Sequence, residues 1–115
     1  MWITKNNIDR FIDIDRKTMD CVGRGITKIE YIPDGITHLF CDRNRLTELP
    51  KLPDSLLYLY CYNNKLTELP ILPESLEYLS CRNNNLPYKV NILNLKEHNK
   101  LIKRKQILEK IRLYH

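Results

Sequence analysis

With 115 residues, a formal charge of +5, 43% apolar and 29% charged side chains, and only 3 glycines and 6 prolines, the chain reads as one folded domain and not as a disordered tail. No run of about 18 apolar residues occurs, which excludes a membrane-spanning helix. The charge is uneven: residues 1–90 carry 12 basic and 12 acidic side chains, residues 91–115 carry 7 and 2, so the whole excess lies in the C-terminal segment. Met1 to Asp9 shows no basic segment leading into an apolar stretch and a small-residue cleavage site, and the chain has no glycosylation sequon. A reducing, cytoplasmic setting is therefore expected.

Residues 1–15 read as an N-terminal cap. Ile8, Phe11 and Ile12 have helical spacing, and with Trp2 they would form a short lid over the structure that follows. From about Arg16 to residue 90 a period of 20 sets in, giving about four coils. It is announced by Cys21, Cys41, Cys61 and Cys81 and carried equally by Pro33, Pro53 and Pro73, by Leu39, Leu59 and Leu79, and by Asn44, Asn64 and Asn84. The first coil is degenerate: Met19 stands one period before Leu39, but Arg16 replaces the Ile36 equivalent and Arg24 replaces the asparagine.

The unit is clearest from Leu56 to Ser75. Alternation turns Leu59 and Cys61 inward and Tyr58, Tyr60 and Tyr62 outward on a short strand, and stacked strands give a parallel sheet. Asn64 follows where the chain turns, and its amide can bond backbone groups of its own and neighbouring coils. Pro70 and Pro73, like Pro50 and Pro53, exclude a helix on the return path and predict an extended, polyproline-like convex side.

The outward positions align in columns: His38, Tyr58 and Tyr78; Phe40, Tyr60 and Ser80; Asp42, Tyr62 and Arg82. Aromatic rings rimmed by Asp42, Arg43, Glu77 and Arg82 have the composition of an interface hot spot, and this concave face is the candidate partner-binding site. The cysteines form a straight inward row, not a tetrahedron of ligands, and read as buried thiols filling the core; no metal site is expected. His38, His98 and His115 are scattered, so no Cys–His nucleophile follows from spacing. Without a phosphate loop, paired zinc-type histidines or a calcium loop, neither an enzyme nor a cofactor is expected.

Residues 91–115 predict a basic capping helix of about 18 residues, with Asn94 as its cap and Glu97 completing a capping box. Leu101, Ile107, Leu108 and Ile111 share one side, suited to covering the last coil. Leu95, Ile102 and Leu113 share another, suited to a second contact. Lys100, Lys103, Arg104 and Lys105 form an alternative basic patch for an acidic partner.

The repeat, with its Leu-Pro-x-Leu-Pro run, resembles the short bacterial type of leucine-rich repeat found in effectors that pathogens deliver into host cells, and similar arrays occur in large DNA viruses. The resemblance covers about residues 21–88. It implies a curved leucine-rich-repeat solenoid that binds other macromolecules, often proteins, with host cytoplasm as the place of action. Two departures stand out. The third inward strand position, usually Leu in that group, is Cys in every coil, and about 25 residues follow the repeats, so the ubiquitin-ligase domain that some members carry is not transferred. The function expected is a non-catalytic protein-interaction scaffold using the concave face. The alternatives are nucleic-acid or acidic-surface binding through the basic helix, and homodimerisation.

Overall fold

The computed structural model describes residues 1–113. Four three-residue strands, β2 (Thr18–Asp20), β4 (His38–Phe40), β5 (Tyr58–Tyr60) and β6 (Tyr78–Ser80), form one parallel sheet in the order β2-β4-β5-β6. Their register is the sequence period itself: Met19 pairs with Leu39, Leu39 with Leu59 and Leu59 with Leu79. The degenerate first coil keeps its strand because Met19 still fills the inward position, where it is fully buried. Inside the sheet, Leu39, Leu59, Cys41 and Cys61 pack against Leu46, Leu49, Leu52 and Leu56 and their equivalents one coil on. No helix is assigned to the proline-bearing returns at 47–53 and 67–73. Among the described residues, no helix is long and apolar enough to cross a membrane.

Two side-chain ladders join the coils. Asn64 donates its amide to the carbonyls of Cys41, Cys61 and Tyr62 at 3.0, 3.1 and 3.3 Å and accepts the Leu46 N–H at 3.0 Å. Asn44 does the same for the first coil, accepting the Arg24 and Ile26 N–H groups, so the absence of an asparagine at position 24 leaves that turn bonded. At the opposite end of the strands, Ser55 Oγ donates to the Ile36 carbonyl and Ser75 Oγ to those of Asp54 and Leu56, each at 2.8 Å. Buried backbone groups that no short strand could pair thus find partners.

The two ends are closed differently. At the N-terminus, a 3-10 turn (Ile8–Phe11) buries Ile8 and Phe11, and Ile12 bridges Met19 in antiparallel fashion. Trp2 is not part of this lid: it lies in β1 (Trp2–Ile3), which pairs with β3 (Lys28–Ile29) on the return side, and Ile3 is the buried member. Strand alternation sends Trp2 outward, with the Lys28 ammonium 4.9 Å from its ring.

At the C-terminus, a 3-10 turn (Ile92–Asn94) leads into α1 (Leu95–Leu113). The cap is Asn91 rather than Asn94. Asn91 Oδ1 accepts the Leu93 and Asn94 N–H groups, while Asn94 Oδ1 accepts the Asn91 N–H at 2.8 Å, so Asn94 is the far member of the box and Glu97 pairs with Lys100 instead. The docked face also differs from the expected one. Leu95, His98, Asn99 and Ile102 are buried, whereas Leu101, Ile107, Leu108 and Ile111 are exposed. The docked stripe is bonded as well as buried: Asn99 accepts the Leu72 N–H at 2.7 Å and donates to the Leu72 carbonyl at 2.8 Å. His98 Nε2 reaches the Pro70 carbonyl at 2.9 Å, and its Nδ1 meets the Tyr88 hydroxyl at 2.6 Å.

Candidate protein-binding face

The strands set the outward side chains at the coil spacing, and the rings use it to stack. His38 and Tyr58 have ring centroids 4.3 Å apart, Tyr58 and Tyr78 4.8 Å, and Phe40 and Tyr60 5.2 Å. The Arg82 guanidinium lies 5.0 Å over the Tyr62 ring. His38 is further fixed by the Thr37 hydroxyl at 2.8 Å from Nδ1. His38, Phe40, Tyr58, Tyr60 and Tyr62 are half-buried against one another, and Tyr78 and Arg82 are exposed. The arrays are rigid because each ring has a neighbour on its face, so little rotamer freedom remains for a partner to remove.

Two rim residues depart from simple exposure. Asp42 is only 5% exposed, so it lies under the face and not on its rim. Its backbone carbonyl accepts the Gly23 N–H and the Asn44 amide, as those of Tyr62 and Arg82 do in their coils, and Arg43 Nε is the charged group beside its carboxylate at 3.9 Å. Arg43 is exposed, but its φ is +60°. Gly23, Asn63 and Asn83 hold the same left-handed place in their coils at +63°, +55° and +55°. Glycine and asparagine tolerate that region; an arginine is strained there.

Beneath the face, Cys21, Cys41, Cys61 and Cys81 are free and buried, as the alternation predicts. Burial pushes the Cys21 thiol up to about 12, helped by Asp20 and Asp42. Burial likewise raises Cys41, with the neighbouring Cys61 and Cys21 adding to it, and raises Cys61 and Cys81. Such thiols are neutral fillers, not nucleophiles. Among the described residues, no group of His, Cys, Asp and Glu could hold a metal ion. His38 and His98 are far apart in the fold, and His115 lies outside the described residues.

The basic helix residues Lys100, Lys103, Arg104 and Lys105 are all exposed but do not form one free patch. Lys100 pairs with Glu97 at 3.7 Å and Lys105 with Glu68 at 3.1 Å. Sequence reasoning missed the polar docking pair His98 and Asn99, although Leu95, His98, Asn99 and Ile102 have the i, i+3, i+4, i+7 spacing of a buried stripe.

Parallel strands in 20-residue register, an asparagine ladder through the turns and helix-free returns define a leucine-rich-repeat solenoid, and the chain is a leucine-rich-repeat protein of the short-coil type. Among solved structures it is similar to YopM from Yersinia enterocolitica WA-314, a leucine-rich-repeat bacterial effector, with 33% identity and a TM-score of 0.61. The match covers 76% of this chain and 19% of that one, so the chain spans about a fifth of that protein. No family model matches the sequence, and no curated protein matches it.

Proposed function

We propose that the chain is a non-catalytic protein-interaction scaffold whose concave sheet face docks a protein partner. The observation that carries this reading is the preformed aromatic array: His38, Tyr58 and Tyr78 in one stack, Phe40 and Tyr60 in the next, and Tyr62 under Arg82. Rigid rings flanked by Arg43 and Arg82 bury large area at low entropic cost, the make-up of a protein hot spot. The likeness to YopM supports the scaffold role without naming a partner. The buried neutral thiols suit a reducing, cytoplasmic place of action.

Tyr60→Ala tests this reading. Tyr60 is half-buried on the face and stacks on Phe40, so its truncation should cost about 1 kcal/mol of stability and leave the fold intact. Affinity capture from a host lysate should lose its partner, with a penalty of about 2 kcal/mol or more. A folded variant that captures every partner as well as wild type does rejects the concave face. Binding that instead falls steeply with salt and requires Lys100, Lys103 and Arg104 would favour nucleic acid on the helix.

A further inference from the structure

We infer that the groove between α1 and the last coil is a second docking site, for an acidic amphipathic segment of another protein. In the interior coils the leucine after the turn is sealed by its counterpart one coil on: Leu46 and Leu66 are fully buried. Leu86 has no such successor and is only partly covered. The chain leaves the repeat at Pro87, and α1 docks beside the gap without filling it. A cavity of about 330 Å³ results, with Leu69, Leu86 and Tyr88 on the coil side and Leu101 and Leu108 on the helix side. Its walls are almost wholly apolar, and its size lies in the range of pockets that hold a ligand.

The helix extends this surface. Ile102 is its last buried residue, and every described residue from Lys103 on is exposed. Leu101, Arg104, Leu108 and Ile111 follow one another at spacings of three, four and three, the seam of a helix that packs along a partner. Leu101 is 46% exposed and Leu108 53%. Most helical stability in proteins comes from tertiary packing, yet this half is tied to the coils by the Lys105–Glu68 ion pair alone among the ion pairs of the described residues.

Charge selects the occupant. Residues 91–115 hold 7 basic and 2 acidic side chains, Arg104 and Lys105 line the cavity on the helix side, and the one carboxylate in its lining, Glu68, is already paired with Lys105 at 3.1 Å. A second copy would set this basic helix against its like, which disfavours self-pairing. A flat anionic bilayer would leave the concave cavity unfilled, and bases would find no aromatic platform on a Leu and Ile seam. A segment with large aliphatic side chains on one face and Asp or Glu on the other fits both the cavity and its rim.

The test is a selection from a random peptide library on the full chain, read again on Leu108→Ser and Leu101→Ser, whose exposed positions leave the core untouched. Enriched peptides should combine Leu, Ile or Phe at helical spacing with Asp and Glu. Their affinity should fall about tenfold or more on Leu108→Ser, the loss of one buried leucine side chain, with the melting temperature unchanged. Arg104→Glu should weaken them and Tyr60→Ala should not. Enrichment of basic or purely polar peptides, no enrichment, or binding indifferent to both leucine variants overturns the inference. So does tighter binding to phosphatidylserine vesicles or to single-stranded DNA than to the best peptide.

Discussion

Asn64→Ala probes what holds one coil to the next. The Asn64 Oδ1 is the acceptor for the Leu46 N–H, the donor of a fully buried residue, and alanine leaves that donor without its partner. Its amide shares the Cys41 carbonyl with Asn44 and the Cys61 carbonyl with Asn84, so those oxygens are weakened but not orphaned. One orphaned donor costs about 1–3 kcal/mol, and two weakened carbonyls add about 0.5–1 kcal/mol each. A total of about 3 kcal/mol follows, a large share of the 5–15 kcal/mol typical of a domain.

Urea unfolding followed by far-ultraviolet circular dichroism should show this as a lower midpoint at unchanged slope. Asn84→Ala should cost about half as much, because Asn84 is itself half-buried at the open end, so solvent can enter the space its amide vacates beside the Leu66 N–H and the Cys61 and Cys81 carbonyls. Asn64→Asp keeps the acceptor but aims an oxygen at three carbonyls, so at neutral pH it should be at least as damaging as alanine. The carboxyl must stay protonated in the fold, which raises its folded pKa; the penalty therefore shrinks as pH falls into the carboxyl range. An Asn64→Ala midpoint within about 1 kcal/mol of wild type would refute the ladder as the inter-coil tie.

Three further outcomes follow from the same geometry. Arg43→Asn should stabilise the chain by about 1 kcal/mol in the same urea assay, since it relieves a left-handed arginine and can extend the 2.7 Å Asn63–Asn83 amide contact by one coil; a loss of stability would show that Arg43 is held by contacts stronger than its strain. The thiols have folded pKa values raised above the ordinary value of 9.0, so their contribution to stability is complete below about pH 9 and is lost as pH rises from there toward 12. Unfolding midpoints should be flat to about pH 8 and then decline, by up to about 1.4 kcal/mol per pH unit per thiol. In native protein a thiol reagent should reach Cys81, at the open end, before Cys41 and Cys61, and equal rates for all would contradict the inward row.

The coils were legible in the sequence because every constraint on them repeats. Leu59 and Cys61 inward, Tyr58 and Tyr60 outward and Asn64 in the turn each follow from alternation or from the bonding capacity of an amide, and the neighbouring coils restate them. The ends were less legible because they occur once. For α1, hydrophobicity favoured Leu101, Ile107, Leu108 and Ile111, yet the docked stripe contains His98 and Asn99. These are polar residues whose value lies in the backbone groups of Pro70 and Leu72, which only the fold brings near. Asp42 shows the same limit within the repeat: its column is outward and its carbonyl is bonded like those of Tyr62 and Arg82, yet of the three only its side chain is buried.

The sealed and unsealed ends account for where binding surfaces arise. At the N-terminus the chain doubles back, Ile12 bridges Met19, and the Asp13 N–H donates to the Thr18 carbonyl at 2.9 Å, so the first strand edge is occupied by the protein itself. At the C-terminus β6 has a neighbour on one side only, and Leu79 and Leu86 are less buried than their counterparts in earlier coils. Asn99 pairs both backbone groups of Leu72, but a single helix crossing the end does not replace a further coil's whole row of leucines. Leu72 is paired but Leu86 is only partly covered, which leaves the groove open to the acidic amphipathic segment inferred above. The aromatic face needs no such completion, because its rings already cover one another. Occupying the groove should therefore finish the solenoid, whereas occupying the concave face uses it as it stands.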